Sequence, residues 1–345
     1  MSQKIVTNVK STDRGIQLLR VLACLAVFVC HFGQRIHLDK WSMNLYNFTQ
    51  LGRYGVELFF VISGYLVCFS LSKNQSVFQF YKRRAIRILP LYYFCVLWFF
   101  ITETFIFQDI PSDSYGLGWA RYVFCLNGIV PSDGYFWSNI GITWTVPVFM
   151  LFYLFAPIIN KLCKTALSSS FVLMCSIGLA LLVNQILSGW FSALVYFPCF
   201  IFGMVVYYAK SYNKQFWTII SFQVFIFVLK WCEWQGLIYK IVKDCDLYLV
   251  STVFATLIFF SNQMVVKKPQ LKKTLDMLDE NSYALYLVHG IVFCSILDKF
   301  QLNEWVKAMI AIVLTIVLTI SIHKFIEKPI QKRLTDLISG NLEDT

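Results

Sequence analysis

Apolar runs of about 17–22 residues recur along the whole chain, separated by short polar and basic stretches. A helix needs about 20 apolar residues to cross the hydrocarbon core of a bilayer. The runs fall at about 16–35, 54–72, 89–107, 142–160, 170–187, 190–209, 216–232, 247–265, 282–297 and 305–323. They predict an all-α protein, a polytopic membrane helix bundle of about ten transmembrane helices. The pattern is weakest where 170–187 and 190–209 nearly abut, where 216–232 contains Lys230, and in the short run 282–297.

The basic residues orient this layout. With the N-terminus inside, inner segments hold Lys82, Arg83, Arg84 and Arg87, then Lys267, Lys268, Lys272 and Lys273, then Lys324, Lys328, Lys332 and Arg333. Outer segments hold scattered cations such as Arg35, Arg53, Lys240, Lys243 and Lys299. An inner excess of Lys and Arg marks cytoplasmic loops. Both termini are therefore expected to be cytoplasmic, with an N-terminal segment 1–14, a membrane domain 15–328 and a tail 329–345.

Composition agrees. Hydrophobic residues make up 58% of the chain and charged residues 14%, against about a quarter charged in soluble domains. The net charge of +11 then reads as a membrane-orientation signal and not as a nucleic-acid surface. Eleven cysteines lie scattered in the apolar runs with no C-x-x-C pair, as reduced core residues do. A bond between Cys232 and Cys245, which flank one predicted outer loop, is the less favoured alternative. The longest outer loop, about 108–141, has a length more often associated with function than with mere connection.

Several residues depart from this apolar background. Arg20 and His31 share the first span, GIQLLRVLACLAVFVCHFGQ at 15–34. Eleven positions apart, they project from nearly the same helix face, roughly 16 Å from each other along the axis. An ionisable residue inside a span is a functional candidate, although an arginine at the interface also snorkels to water and a lone histidine is often a satisfied core residue. In RYGVELFFVISGYLV, 53–67, Glu57 falls at a depth similar to that of His31, where a carboxylate would hold an imidazole tautomer; an interfacial glutamate with its head in water is the plainer reading. Ser63 and Gly64 permit close helix packing.

In FYKRRAIRILPLYY, 80–93, Arg84 and Arg87 lie three apart on one face, as a phosphate clamp or as a headgroup and topology signal. Pro90 reads as the N-terminus of the next span. In WTVPVFMLFYLFAP, 144–157, Trp144 and Tyr153 either line a pocket or belong to an aromatic belt. YALYLVHG, 283–290, sets His289 within a span, and HKFIEKPIQ sets His323, Glu327 and Lys328 at the inner interface, where salt bridging is the default. No metal-ligand spacing, P-loop or dinucleotide fingerprint occurs.

Taken in order, these segments resemble the acyltransferase-3 family of multi-span membrane O-acyltransferases that modify bacterial surface polysaccharides. Arg20, ten residues and His31 match the family's arginine–histidine motif. GVELFFVISGYLV, YKRRAIRILPLYY, WTVPVFMLFYLFAP, SYALYLVHG and KFIEKPI match its later blocks. The resemblance implies a multi-pass protein of the cytoplasmic (inner) membrane of a bacterium. It implies transfer of an acyl group, usually acetyl, from cytoplasmic acyl-CoA (acetyl-CoA as donor co-substrate, no metal) to a hydroxyl of a surface polysaccharide or lipid-linked glycan. It further implies that Arg20 and His31 are essential and that Arg84 and Arg87 bind the donor.

On this reading His31 is the general base or a transient acyl carrier, with Glu57 orienting it, and Trp144, Tyr153 and His289 contact the acceptor. One departure stands out. The family's tryptophan block reads W-[ST]-x-x-V-E, and the glutamate's place is taken by Phe149, which does neither proton nor hydrogen-bond work. Either Glu57 supplies the nearby carboxylate, or activity or acceptor choice is altered. The rival functions are a glycan or lipid-intermediate transporter, whose path the same helix face would line, and a homologue that binds without catalysis.

Overall fold

The computed structural model describes residues 14–72, 76–108, 115–131, 138–187, 189–211, 216–235, 245–263, 268–300 and 302–340. The segment 1–13, the end of the tail, Lys73, Lys240, Lys243, Lys267 and the side chain of Cys245 lie outside them. The described residues form helices α1 (Arg14–Arg35), α2 (Met43–Gln50), α3 (Gly55–Leu71), α4 (Val77–Ile101), α5 (Ala120–Val123), α6 (Thr145–Leu162) and α7 (Ala166–Ile186). These are followed by α8 (Phe197–Ser211), α9 (Phe216–Trp234), α10 (Cys245–Phe259), α11 (Pro269–Gly290), α12 (Glu304–Ile322) and α13 (Lys328–Gly340). Three π-type turns extend helices at Thr102–Ile106, Ile291–Ile296 and His323–Glu327.

The protein is an all-helical, multi-pass membrane protein. Among the described residues, 8 helical stretches are long and apolar enough to cross a membrane. They contain α1, α3, α4, α6, α7, α8, α9 and α12. The other two expected spans differ for physical reasons. The run at 247–265 contributes a shorter apolar helix, Asp246–Phe259. The run at 282–297 takes in the second half of α11 and the π-type turn after it, while the first half of α11, PQLKKTLDMLDEN, is polar.

The chain separates into two compact units. The first comprises Met1–Ala23, Tyr54–Val77 and Leu151–Asp279; the second comprises Cys24–Arg53, Phe78–Met150 and Glu280–Thr345. Helices α1, α6 and α11, and α4 through Val77 alone, contribute residues to both.

In the first unit, α8 is almost wholly buried and lies directly on α3. Small residues set that approach, as in membrane helix pairs generally, because without a hydrophobic drive between helices close packing supplies the attraction. A Cβ on Gly64 would sit 1.8 Å from the Phe200 carbonyl oxygen, and one on Gly203 would sit 1.9 Å from the Val61 oxygen. Each glycine thus lies against the other helix's backbone. Beside this contact the rings of Phe152 and Phe200 stack at 4.0 Å, and Phe60 lies 4.7 Å from Phe200.

In the second unit, α4 carries the arginine run and Pro90 in one continuous helix. Pro90 therefore does not begin a helix as its position before an apolar run suggested. A helix-interior proline removes one backbone bond and tilts nearby carbonyls outward. Two carbonyls before it find extra donors here: Tyr283 Oη donates to Ile88 O at 2.8 Å and Gln331 Nε2 to Arg87 O at 3.2 Å. Tyr92 and Tyr93 donate to the carbonyls of Tyr122 and Val123, which fastens part of the long loop after α4 to that helix.

The glycine contacts give a first prediction. Gly64→Val forces α3 off α8 and destabilises the protein by about 1–3 kcal/mol, whereas Gly178→Ala, in the middle of α7 with open space at its Cβ, is neutral or stabilises by up to about 1 kcal/mol. Thermal melts of the two variants in detergent check this; equal melting temperatures would contradict the packing account.

Candidate active site

In the first unit Arg20 lies on the N-terminal half of α1. Its NH2 bonds Asp279 Oδ2 at 2.7 Å, with the two side chains 17% and 11% exposed. Nearly two turns earlier, Arg14 pairs with Asp276, and Gln17 bridges the two, accepting from Arg14 and donating to Asp276 Oδ1 at 3.3 Å. Positions 276 and 279 share a helix face, as do 14, 17 and 20. The polar half of α11 is thus a matched acidic strip for the basic start of α1. A charge removed from water needs such a partner, and removing one member of a buried pair costs about 3–5 kcal/mol.

The expected residues of the first unit also include Glu57 and Tyr153. Glu57 sits in the first turn of α3, where a carboxylate is favoured by the helix N-terminus. Tyr153 is buried, its ring centroid 6.0 Å from that of Phe152.

In the second unit the C-terminal half of α1 carries His31, half-buried. Its ring lies 5.3 Å from that of His289, the planes 26° apart. Phe28, Phe293 and Tyr286 flank His289 with centroids 6.4, 5.9 and 5.8 Å away. His289 is 1% exposed. Its Nδ1 bonds the carbonyl of Leu285 at 3.1 Å; a carbonyl only accepts, so Nδ1 carries the proton and Nε2 the lone pair. That Nε2 is buried and has no hydrogen bond.

The group bonded to Nδ1 of His31 is the Oε1 of Gln34, at 3.1 Å. It is an amide on the same helix, and not the carboxylate expected from Glu57. The tryptophan block reaches this cluster through its neighbour: Thr145 Oγ1 meets Tyr286 Oη at 3.0 Å, and Tyr286 Oη donates to Ile142 O. Trp144 itself is half-buried at the end of the turn Ser138–Trp144, and Phe149 is half-buried on α6.

Arg84 and Arg87 share α4. The Arg84 guanidinium lies 5.4 Å from the Phe80 ring, and the Arg87 side chain is exposed. The backbone beneath Arg87 is tied to a buried acid. Gln331 bridges Arg87 O and Glu327 Oε1, and His323 Nδ1 bonds Glu327 Oε2 at 2.7 Å. The salt bridging expected of HKFIEKPIQ is present, and Lys328 reaches Glu280 at 4.0 Å.

The structure thus brings His31 and His289 together, keeps Arg84 and Arg87 on one helix, and gives Arg20 an acidic partner. Sequence reasoning missed Asp279, whose signal was a carboxylate just ahead of SYALYLVHG. It also missed Gln34, which stands three residues after His31 and so on the same face. Asp279→Ala is expected to lower stability by about 3 kcal/mol, and the double variant Arg20→Met/Asp279→Leu to recover part of that loss. Chemical or thermal unfolding in detergent measures both.

The family model described as Acyltransferase domain matches residues 13–324. A protein of Acidianus two-tailed virus named as an acetyltransferase is 25% identical over 300 residues, 83% of this chain and 85% of the viral one. An acyltransferase of Streptomyces mycarofaciens is 28% identical over 152 residues, covering 42% of this chain and 38% of its own. A peptidoglycan O-acetyltransferase of Listeria monocytogenes is 24% identical across 92% of this chain, which spans 56% of the length of that relative. No solved structure matches significantly.

Proposed function

We propose, for a chain that belongs to the acyltransferase-3 family and is thereby a membrane O-acyltransferase, that it moves an acyl group, acetyl first, from acyl-CoA to a glycan hydroxyl. The acceptor is a cell-surface or lipid-linked glycan, in keeping with the peptidoglycan named for the Listeria relative. The membrane is the cytoplasmic membrane of a bacterium, with both chain termini and the donor on the cytoplasmic side, as the basic segments argue.

The observation that carries the reading is the half-buried His31 imidazole. It is bonded through Nδ1 to an amide oxygen and faced at 5.3 Å by a buried second imidazole. An imidazole whose Nδ1–H is engaged presents Nε2 as a base. Nε2 of His31 takes the proton of the acceptor hydroxyl as that oxygen attacks the thioester carbonyl carbon. A carbon–oxygen bond forms, the carbon–sulfur bond breaks, and the imidazolium returns the proton to the departing thiolate, so the proton balance closes.

His289, with a lone pair at a buried Nε2, accepts a hydrogen bond from the bound acceptor. Trp144 and Tyr153 contribute apolar surface to acceptor binding, and Glu57 a carboxylate on the outer side. At the other end of α1, Arg20 stabilises negative charge on the donor, with Asp279 fixing its position. Arg84 and the exposed Arg87 bind the nucleotide phosphates of CoA.

The test is transfer of labelled acetyl from acetyl-CoA to oligosaccharide acceptors by purified protein in nanodiscs. His31→Ala is expected to lower turnover about 10²–10⁴-fold with an unchanged melting temperature. Wild-type turnover in that variant would overturn the role given to His31. Movement of a glycan into vesicles without release of CoA would replace acyl transfer by transport.

A further inference from the structure

We infer that Gln34, backed by Gln50 and Thr49, is a positioning residue that holds His31 in its Nδ1–H tautomer. This deepens the reading of His31 as the base and rests on it.

The chain of bonds has one direction. Thr49 Oγ1 donates to the carbonyl of Tyr46 at 2.7 Å, and that oxygen only accepts. The lone pairs of Thr49 Oγ1 are then left for Gln50 Nε2, at 3.3 Å, so Gln50 turns Oε1 toward Gln34. Gln34 Nε2 donates to that oxygen at 2.7 Å, which turns Gln34 Oε1 toward His31 Nδ1 at 3.1 Å. An amide oxygen accepts, so the imidazole nitrogen must donate.

Reversing both amides would use the Thr49 proton on Gln50 and leave two oxygens facing each other across 2.7 Å at a threonine 7% exposed. Burying such an unsatisfied contact costs about 1–3 kcal/mol. The backbone carbonyl therefore sets the tautomer three side chains away.

The local fold builds this relay deliberately close. A Cβ on Gly33 would lie 2.4 Å from Thr49 Oγ1, and one on Gly52 would lie 2.1 Å from the Ala26 carbonyl oxygen. Two glycines thus let the outer end of α1 meet α2 and its following turn. Ser42 caps α2 by accepting from Leu45 N at 3.3 Å. Other titratable or charged groups near His31 are Cys30 and Arg35 on α1 and His289 on α11; Cys30 Sγ contacts Gln50 Oε1 at 3.7 Å, and Arg35 NH2 reaches Cys294 Sγ. None of these accepts from His31 Nδ1, a place that in a serine-type triad belongs to a carboxylate. An amide performs the orienting task without adding an ion that the membrane would make costly.

The experiment uses ¹⁵N-histidine NMR of the full-length protein in nanodiscs. The chain has four histidines, so single substitutions assign each signal. Wild type is expected to show His31 with a pyrrole-type Nδ1 and a pyridine-type Nε2. Gln34→Met, similar in shape and lacking the acceptor, is expected to mix the tautomers and lower kcat tenfold or more with little change in KM. Gln34→Glu, which keeps an oxygen in place, is expected to restore the Nδ1–H form and most of the turnover. An Nε2–H tautomer in wild type, or a Gln34→Met protein with unchanged tautomer and kcat, would overturn the inference. A protein that transfers no acyl group yet shows the Nδ1–H form, lost in Gln34→Met, refutes the catalytic reading alone and upholds the relay.

Discussion

A polar group inside a membrane helix must find its partner within the protein, because lipid offers none. Helix α1 meets that demand along its whole length. Arg14, Gln17 and Arg20 are answered by Asp276 and Asp279 of α11, and His31 and Gln34 by Gln50 and Thr49 next to it. The acidic strip explains why α11 begins polar and turns apolar only after Asn281. Each end of α1 is therefore a separately satisfied polar site on an otherwise apolar helix, about three turns apart.

Rigidity comes from elsewhere. In the first unit, Gly64 and Gly203 bring α3 and α8 into backbone contact, and the ring stack of Phe60, Phe152 and Phe200 fills the space beside them. In the second, α4 is held at its proline by Tyr283 and Gln331. The same Gln331 links the Arg87 backbone to the buried His323–Glu327 pair, so the turn that carries the proposed phosphate ligands is tied to a buried polar network. A rigid scaffold that positions a few polar groups is what acyl transfer requires, since misplacement of reacting atoms by about 1 Å costs rate heavily.

Much of this was legible in the chain. Length and hydropathy picked out the long spans, and the arginine–histidine spacing in 15–34 singled out a helix whose polar side chains all meet polar partners. Gly64 was correctly read as a packing residue. The acidic partner of Arg20 was not, because Asp279 precedes the apolar run and hydropathy begins the span after it. Gln34 was overlooked for a different reason: a carboxylate is the usual orienter of an imidazole, and Glu57 stood at a plausible depth. Pro90 misled because a proline before an apolar run most often starts a helix, whereas here side chains from α11 and α13 bond the carbonyls beneath it. The π-type turn after His289 has no sequence signal, since it depends on tertiary packing.

The central claim is that α1 links a donor end at Arg20 to an acceptor end at His31, so that the acyl group and not the glycan changes sides. Proteoliposomes with the protein in a single orientation test it. Labelled acetyl-CoA is supplied on the side bearing Arg87, and a hydroxyl acceptor is sealed on the other. The account predicts labelled O-ester in the acceptor compartment, with free CoA thiol appearing only where the donor was added. Ester formation that requires donor and acceptor on the same side would contradict it.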